Sequence, residues 1–217
     1  MRNLLYTLLP YFFSRRTYRD PLSGELVKVG LEVFEKHQII IEKHPLAEQL
    51  NPKLINDYEL SPKENSYKTN VKAKMTSYYT DSPTVSIIEQ WVRQLLMEKS
   101  TLRTALRSEH GFQLNFDDTW FSGYDIDEFT AKHDHTPSTF SWVYFVRTPP
   151  KSSPLVLTTS GTQIKAEAGK VVIFAGNVWH HVPPNKCEGR IVLAGNINAE
   201  KDHTFGSRTK QKDSKYR

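Results

Sequence analysis

At 217 residues the chain has the length of one domain, and its 38% hydrophobic and 24% charged residues are ordinary for a globular protein. The net charge is +5, but the last ten residues carry five Lys and Arg side chains against one Asp. The rest of the chain is therefore nearly neutral, which argues against a nucleic-acid groove, and residues 199–217 are expected to form a basic, flexible tail.

Two features bear on where the protein resides. Residues 4–13 are apolar, but Pro10 interrupts them and Arg15 and Arg16 follow where a secretory signal needs small residues. The segment is also too short to span a bilayer, so we expect an edge strand or short helix packed on the core, with no membrane contact. The single cysteine, Cys187, excludes an internal disulfide and is expected to be a structural thiol between two strands. Both features favour the cytoplasm.

The first half of the chain contains the helical signals. Residues 38–41 are a brief apolar run that predicts a strand, and Asn51 and Pro52 have the character of the N-cap and first residue of a helix ending at residue 60. The polar residues 62–70 predict a loop. A second helix is predicted after Ser82, because apolar residues then recur at helical spacing, and we expect it to lie against a sheet. These residues are Val85, Ile88, Trp91, Val92, Leu95 and Leu96.

The second half of the chain has the sequence pattern of a β protein. Five short β-rich runs are separated by clusters of Gly, Pro, Asn and Ser, without helices between them, which is typical of a sandwich or barrel. The sequence thus predicts a mainly β fold with N-terminal helices, in which residues 1–111 support a jelly-roll core formed by residues 112–198. The runs are residues 113–116, 140–146, 155–159, 171–174 and 190–197.

Four of the eight histidines fall in two short segments of the β half. His133 and His135 share one face of an extended backbone, so their imidazoles can bind one metal ion together. His180 and His181 follow a Gly turn and an apolar strand, and in a jelly roll the two segments are neighbours on the inner face. An isolated His-x-His pair is nevertheless more often a surface feature than a metal site.

Arg190 opens the apolar run 190–197, shortly after the second histidine segment. A guanidinium on an inner strand is unfavourable unless an anion meets it, and its planar shape suits a carboxylate bound through two parallel hydrogen bonds. The alternative is an arginine at the strand end that pairs with Glu188 or another acid.

Together these segments resemble the 2-oxoglutarate/Fe(II)-dependent oxygenases, in particular a prolyl-hydroxylase-like branch common in marine phages and bacteria. That branch reads roughly H-x-H-P-N-S-x-x-S-G-V-Y-Y, F-P-S-W-x-x-H-x-V-x-P-N and R-I-S-I-x-x-N-I. The corresponding stretches here are HDHTPS from His133 with SWVYF from Ser141, FAGNVWHHVPPN from Phe174, and RIVLAGNI from Arg190. The resemblance covers about residues 112–198, including the Asp-Thr-Trp stretch 118–120.

The resemblance implies a double-stranded β-helix in which His133, His135 and His180 hold Fe(II), and Arg190 binds the far carboxylate of 2-oxoglutarate. The motif register favours His180 over His181 as the ligand. The implied reaction consumes O2, releases succinate and CO2, and hydroxylates a substrate that the sequence does not identify. A prolyl peptide, a nucleic-acid base and a small molecule all stay open, as does a phage-infected cell as the setting.

The sequence departs from the family pattern at three places. The usual iron site has two histidines and one carboxylate, so Asp134 is kept as a reserve ligand, although strand alternation aims it at the opposite face. Val192 and Phe145 stand where the family has a serine and a tyrosine that contact 2-oxoglutarate. Tyr124 is the candidate to replace the lost hydroxyl, with an ordinary core tyrosine as the alternative.

Two other functional classes stay open on the sequence. One is a cupin-like metalloenzyme that binds its metal through three histidines and does not use 2-oxoglutarate. The other is a non-catalytic jelly-roll binding or virion-associated module that retains the histidines. The remaining histidines outside the motifs, His37, His44, His110 and His203, are expected to be ordinary surface or core residues.

Overall fold

The computed structural model describes residues 5–19, 26–66, 70–100 and 112–201. The expected tail after residue 201 and the histidines at 110 and 203 lie outside these residues. The described elements are, in chain order, β1 Leu5–Arg19, β2 Leu26–Lys43, α1 Ala47–Leu60, β3 Glu64–Ser66, β4 Val71–Met75, α2 Pro83–Lys99, β5 Phe112–Tyr124, β6 Phe129–His133, β7 Phe140–Arg147, β8 Leu155–Leu157, β9 Thr162–Ile164, β10 Lys170–Ala175, β11 His180–Val182 and β12 Arg190–Lys201.

The strands form two antiparallel sheets that share β4. The larger sheet has the order β1-β2-β10-β7-β12-β5-β4-β3, and the smaller has the order β4-β6-β11-β8-β9. Val71 and Lys72 of β4 pair with β6, whereas Lys74 and Met75 pair with β5, so one strand passes from one sheet into the other. This architecture confirms the predicted mainly β jelly roll.

The helices cover the outer face of the larger sheet. Side chains alternate along its strands, so Ile191 and Leu193 of β12 face the helices while Val192 and Ala194 face the smaller sheet. Each apolar side chain buried in this way contributes roughly 1.5–3 kcal/mol. The helices thereby fix the larger sheet as one wall of the cavity between the sheets. Their buried contributors are Leu50, Leu54, Val85, Ile88, Val92, Leu95 and Leu96.

The helix predicted after Ser82 is confirmed. It begins at Pro83, and the Ser82 hydroxyl accepts a hydrogen bond of 3.1 Å from the backbone N–H of Val85. That bond satisfies one of the amide groups that a helix leaves free at its start. The same hydroxyl donates to the carboxylate of Asp57 at 2.6 Å, which ties α2 to α1.

The predicted start of α1 is wrong by about one turn. The helix begins at Ala47, and Pro52 lies inside it, where its ring nitrogen cannot donate to the helical ladder. Burial of Ala47 and Leu50 favours the extra turn. Asn51 does not cap the helix, because its side-chain oxygen accepts a 2.7 Å hydrogen bond from the hydroxyl of Tyr144 on the sheet. Tertiary packing thus overrides the capping signal.

Several strands extend beyond the predicted runs or were not predicted. Residues 38–41 belong to the much longer β2, and residues 5–13 of the apolar N-terminal segment fall within β1, a strand at the edge of the larger sheet. The predicted loop at 62–70 contains β3, with residues 67–69 outside the described part. The short strands β4, β6 and β9 were not predicted. Neither described helix combines the length and the apolar character that crossing a membrane requires.

Candidate active site

Two neighbouring strands of the smaller sheet bring the three motif histidines together. His133 ends β6 and His180 begins β11, and the two residues stand directly opposite each other in the antiparallel ladder. His135 follows two residues after the end of β6. One nitrogen from each imidazole can be chosen so that all three lie within 4.8 Å of one another. The predicted neighbourhood of the two segments therefore exists in the fold.

A backbone clamp holds the loop that carries His135. The backbone N–H of His135 donates to the carbonyl of Gly176 at 2.7 Å, and the N–H of Gly176 donates to the carbonyl of Thr139 at 3.1 Å. A Cβ atom at position 176 would overlap the carbonyl oxygen of Ser138. The close approach of the two loops therefore requires glycine, and it fixes His135 beside the other two imidazoles.

Hydrogen bonds to carbonyl groups determine the tautomer of two of the imidazoles. Nδ1 of His133 lies 2.9 Å from the carbonyl oxygen of Ala131, and Nδ1 of His180 lies 2.8 Å from that of Val178. A carbonyl oxygen only accepts, so each Nδ1 must carry the proton and donate it. The lone pair then resides on Nε2, which is the nitrogen left to bind a metal ion.

Burial keeps the three imidazoles neutral. Burial lowers the pKa of His133, and burial followed by repulsion from His133 lowers the pKa of His135 to about 4. The pKa of His180, which is 3% exposed, is lowered by burial and then by its two histidine neighbours. Neutral imidazole is the form that binds metals, so no proton has to leave near pH 7.

The other candidates for this cluster face elsewhere. His181 points away from the triad, and its Nδ1 lies 2.9 Å from the hydroxyl of Thr158. The carboxylate of Asp134 accepts a 3.3 Å hydrogen bond from the backbone N–H of Thr136, and Asp134 is not one of the three clustered ligands. His44 is a buried residue whose Nδ1 accepts from the N–H of Leu46.

Arg190 lies in the same cavity as the three histidines. It is 1% exposed, and its Nε and Nη1 groups have no hydrogen-bond partner. Among the described residues it forms no ion pair, so the predicted alternative of a pair with Glu188 is wrong. A buried guanidinium with unmade hydrogen bonds is unfavourable, and burial lowers its pKa. The chemistry that relieves both effects is a carboxylate bound by both groups.

Tyr124 forms the floor under this guanidinium. The guanidinium carbon of Arg190 lies 4.6 Å from the centre of the Tyr124 ring and 5.7 Å from that of Phe145. The Tyr124 hydroxyl lies 2.8 Å from the hydroxyl of Thr130. The cavity wall at Val192 is apolar, because this residue is 4% exposed and belongs to the inner hydrophobic cluster.

The sequence did not identify several residues of the cavity. Ser122 and Thr130 line it, and Trp120 extends the aromatic surface to within 6.3 Å of the His135 ring. Tyr78 packs edge-on against Trp120 at 5.1 Å and is 40% exposed. The alternation of Trp120, Ser122 and Tyr124 along β5 was the available signal, since alternate residues of a strand share one face.

The lone cysteine occupies the place predicted for it. Cys187 lies between β11 and β12, and its sulfur is 3.4 Å from the hydroxyl of Ser152. Asn185, which is fully buried, binds the carbonyl of Cys187 and the backbone N–H of Ser153. This network fastens the turn that leads into Arg190.

Solved structures with the same fold are found at low sequence identity. They include the viral collagen prolyl hydroxylase of Paramecium bursaria Chlorella virus-1 in complex with 2-oxoglutarate (14% identity, TM-score 0.57, 73% of this chain and 94% of that chain). A prolyl-4-hydroxylase of Pseudomonas putida gives 16% identity, a TM-score of 0.56, and 75% and 92% coverage. HygX of Streptomyces hygroscopicus, with nickel and 2-oxoglutarate bound, gives 7%, 0.53, and 74% and 82%.

The chain has the fold of the 2-oxoglutarate/Fe(II) oxygenases. No protein-family model matches the sequence, and no curated protein matches it either. The solved structures share the fold of this chain, which confirms the double-stranded β-helix that the three motifs predicted. The roles of individual residues rest on the geometry of the cavity.

Proposed function

We propose that this protein is an Fe(II)- and 2-oxoglutarate-dependent dioxygenase that hydroxylates an unidentified substrate. One observation carries the proposal: a fully buried arginine with two unpartnered N–H groups shares a cavity with three clustered, neutral histidines. The histidines fit a transition-metal ion, and the arginine fits the far carboxylate of a dicarboxylic co-substrate. The cavity could therefore bind a metal ion and a dicarboxylic co-substrate side by side.

Each residue has a defined task in the proposed reaction. Nε2 of His133 and of His180, together with an imidazole nitrogen of His135, would hold a transition-metal ion. Arg190 orients 2-oxoglutarate by its far carboxylate, with Tyr124 beneath the guanidinium. When bound, iron and 2-oxoglutarate supply the activation of O2, with release of succinate and CO2 and transfer of an oxygen atom to the substrate. The apolar cavity walls exclude water from this chemistry.

The substrate is expected to approach past the aromatic side chains next to His135. Trp120 and Tyr78 form this side, and only Tyr78 is substantially exposed. The names of the structural neighbours, two of them prolyl hydroxylases, favour a peptide, while a nucleic-acid base or small molecule stays compatible with the cavity. We place the reaction in the cytoplasm, in keeping with a single cysteine, and the viral source of one neighbour is in keeping with a phage-infected cell.

A second candidate function follows from the ligand set itself. Three imidazoles without a carboxylate leave the ion with its full charge, which also fits a cupin-like metalloenzyme that does not use 2-oxoglutarate. Arg190 separates the two candidates, because a cupin-like enzyme has no need of its unpartnered N–H groups.

Anaerobic titration with Fe(II), with and without 2-oxoglutarate, tests the proposal. We expect the weak visible charge-transfer band of an iron chelate only when both are present, and its loss in Arg190→Ala. Arg93→Ala is the matched control, because Arg93 is exposed on α2 on the far side of the larger sheet. Metal binding without a band would favour the cupin-like enzyme, and absence of metal binding would exclude both enzymes.

A further inference from the structure

A row of polar side chains crosses the inner face of the larger sheet next to Trp120. Asp118 of β5 stands opposite Asn196 of β12, and Asn196 stands opposite Ser141 of β7. Two residues further along the same strands, Trp120 and Ala194 line the cavity. Residues two apart on a strand share a face and lie about 7 Å apart, so the polar row directly adjoins the cavity wall. The proposed function gives this row no task.

The row lies at the open end of the cavity. Arg190, at the other end of the same strands, is 1% exposed, whereas Asp118 is half-buried and the adjoining Asp117 is exposed. Asp117 accepts a 2.6 Å hydrogen bond from the side-chain amide of Asn198 on β12, so polar groups continue beyond the row. Together with Trp120, this surface spans about 14 Å by the rise per residue of a strand, the length of about four residues of extended peptide.

The hydrogen bonds of the row converge on one carboxylate. The Ser141 hydroxyl donates to Oδ1 of Asn196 at 2.6 Å, and Nδ2 of Asn196 donates to Oδ2 of Asp118 at 3.2 Å. Ser141 and Asn196 are buried, so these bonds fix the position of the Asp118 carboxylate. A carboxylate only accepts hydrogen bonds, and none of the ion pairs among the described residues involves Asp118. The row therefore presents a negative charge at the open end of the cavity.

Two aromatic rings lie next to this carboxylate. Trp120 is 6.3 Å from the ring of His135, and Tyr78, which is 40% exposed, packs edge-on against Trp120. Backbone hydrogen bonds hold the tyrosine segment against β5, because the N–H of Thr119 donates to the carbonyl of Tyr78 and the N–H of Thr80 donates to that of Thr119. Aromatic faces and carboxylates both attract ammonium and guanidinium groups. The surface therefore fits a positively charged side chain.

We propose that Asp118, with Trp120 and Tyr78, binds a basic residue of a peptide substrate and thereby brings a neighbouring residue of that peptide to the metal site. This inference rests on the proposed function and names the class of substrate. A peptide fits better than a small amine, because the polar groups continue to Asn198 over the length of several residues. Asp118 is then the residue that makes the enzyme select basic over neutral or acidic peptides.

The test is the binding of three labelled peptides to the protein loaded with Mn(II) and 2-oxoglutarate, followed by fluorescence anisotropy. The peptides share a glycine–proline frame and differ only in carrying lysines, glutamines or glutamates at the remaining positions. We expect the lysine peptide to bind at least about tenfold more tightly than the other two, the usual effect of one hydrogen bond between charged groups. Because Mn(II) is paramagnetic, it should also broaden the NMR signals of the bound lysine peptide.

Substitution of Asp118 should change the preference among the peptides. Asp118→Asn keeps an oxygen for the bond from Asn196 and removes the charge, so we expect about tenfold weaker binding of the lysine peptide and unchanged binding of the glutamine peptide. Asp118→Lys should reverse the preference, so that the glutamate peptide binds best. Asp127→Asn is the matched control, because Asp127 is exposed in the turn after the other end of β5.

The aromatic part of the surface has its own readout. Tyr78→Leu removes the exposed ring, and we expect about threefold weaker binding of the lysine peptide alone, whereas Tyr78→Phe keeps the ring and should retain wild-type affinity. Equal affinity in Tyr78→Leu would overturn the part of the proposal that assigns a role to this ring.

The outcomes separate this inference from the proposed function. A wild-type protein that binds Mn(II) but not 2-oxoglutarate would overturn both. If the wild type binds both, failure to prefer the lysine peptide, or unchanged affinity in Asp118→Asn, overturns the inference alone. Absence of NMR broadening would place the peptide away from the cavity and overturn it as well. Displacement of the lysine peptide by an equal concentration of spermidine would assign the surface to a small amine and overturn the peptide.

Discussion

The two faces of the larger sheet carry the same strands but opposite kinds of interior. On the outer face, apolar side chains from the helices and from the strands pack against one another in one cluster. The inner face borders the cavity, where Arg190 with its two unpartnered N–H groups and the neutral histidines of the smaller sheet lie among apolar walls. On the outer face Trp142 Nε1 is the one buried side-chain group without a hydrogen-bond partner among the described residues, whereas in the cavity Arg190 keeps two N–H groups whose partners must come from a ligand. Stability and binding should therefore respond to different substitutions.

Loss of a single imidazole from the cavity should have the largest effect. We expect His180→Ala to weaken Fe(II) or Mn(II) binding by at least about a hundredfold, because removing even an outer partner of a metal site costs 10–100-fold. His181→Ala is the matched control, since its ring is bonded to Thr158 and should leave metal affinity unchanged. Metal titration followed by thermal unfolding measures both, and the reverse pattern would assign the ligand to the neighbouring residue.

Arg190→Met should move stability and binding in opposite directions. Removing a buried guanidinium with unmade hydrogen bonds should stabilise the ligand-free protein by about 1–3 kcal/mol. The same change should weaken 2-oxoglutarate binding about a hundredfold, because the far carboxylate loses its partner. Urea unfolding and calorimetry on the same variant give the two numbers. A destabilised variant would mean that Arg190 has a structural partner.

A void created by substitution in the apolar cluster of the outer face should lower the stability of the fold without changing metal binding. Ile88 is completely buried in α2, so Ile88→Ala should lower the free energy of unfolding by about 2–5 kcal/mol. Metal affinity should not change, because the side chain lies on the other side of the sheet. Ile87→Ala is the control, since Ile87 is 43% exposed on the same helix and should change stability little. A matching loss of metal affinity in Ile88→Ala would contradict the independence of the two faces.

A smaller effect should appear on acidification of the metal-free protein. The folded-state pKa of His135 is about 4, below its ordinary value of 6.5, so between these values the unfolded chain binds more protons. This contribution to stability is complete above about pH 6.5 and is lost as the pH falls towards 4. Urea unfolding at several pH values in the presence of a chelator should show the decline, with a shallower slope in His135→Gln. An identical slope in the variant would place the pH dependence elsewhere.

Spaced sequence patterns predicted the jelly roll, α2 and the residues that form the histidine cluster. The helical periodicity after Ser82 reflects local geometry, and the two histidine segments form a motif. Both kinds of signal can be recognised in the sequence without knowledge of the fold. The start of α1 was not predictable, because Asn51 bonds to Tyr144, a residue far away in sequence. Alternation along β5 places Ser122 on the same face as Tyr124, but that this face meets Arg190 follows from the pairing of β5 with β12, which no local pattern encodes.

The cross-strand pairs of the cavity are nested along the chain. Tyr124 and Arg190 enclose the segment that runs from His133 to His180, and both pairs stand directly opposite each other in their ladders. Bringing the inner pair together shortens the loop that must close for the outer pair. An ion joined to both histidines would therefore cross-link the ends of a long chain segment. Extraction of the ion should accelerate unfolding and make the short ladder of β6 against β11 the first to open.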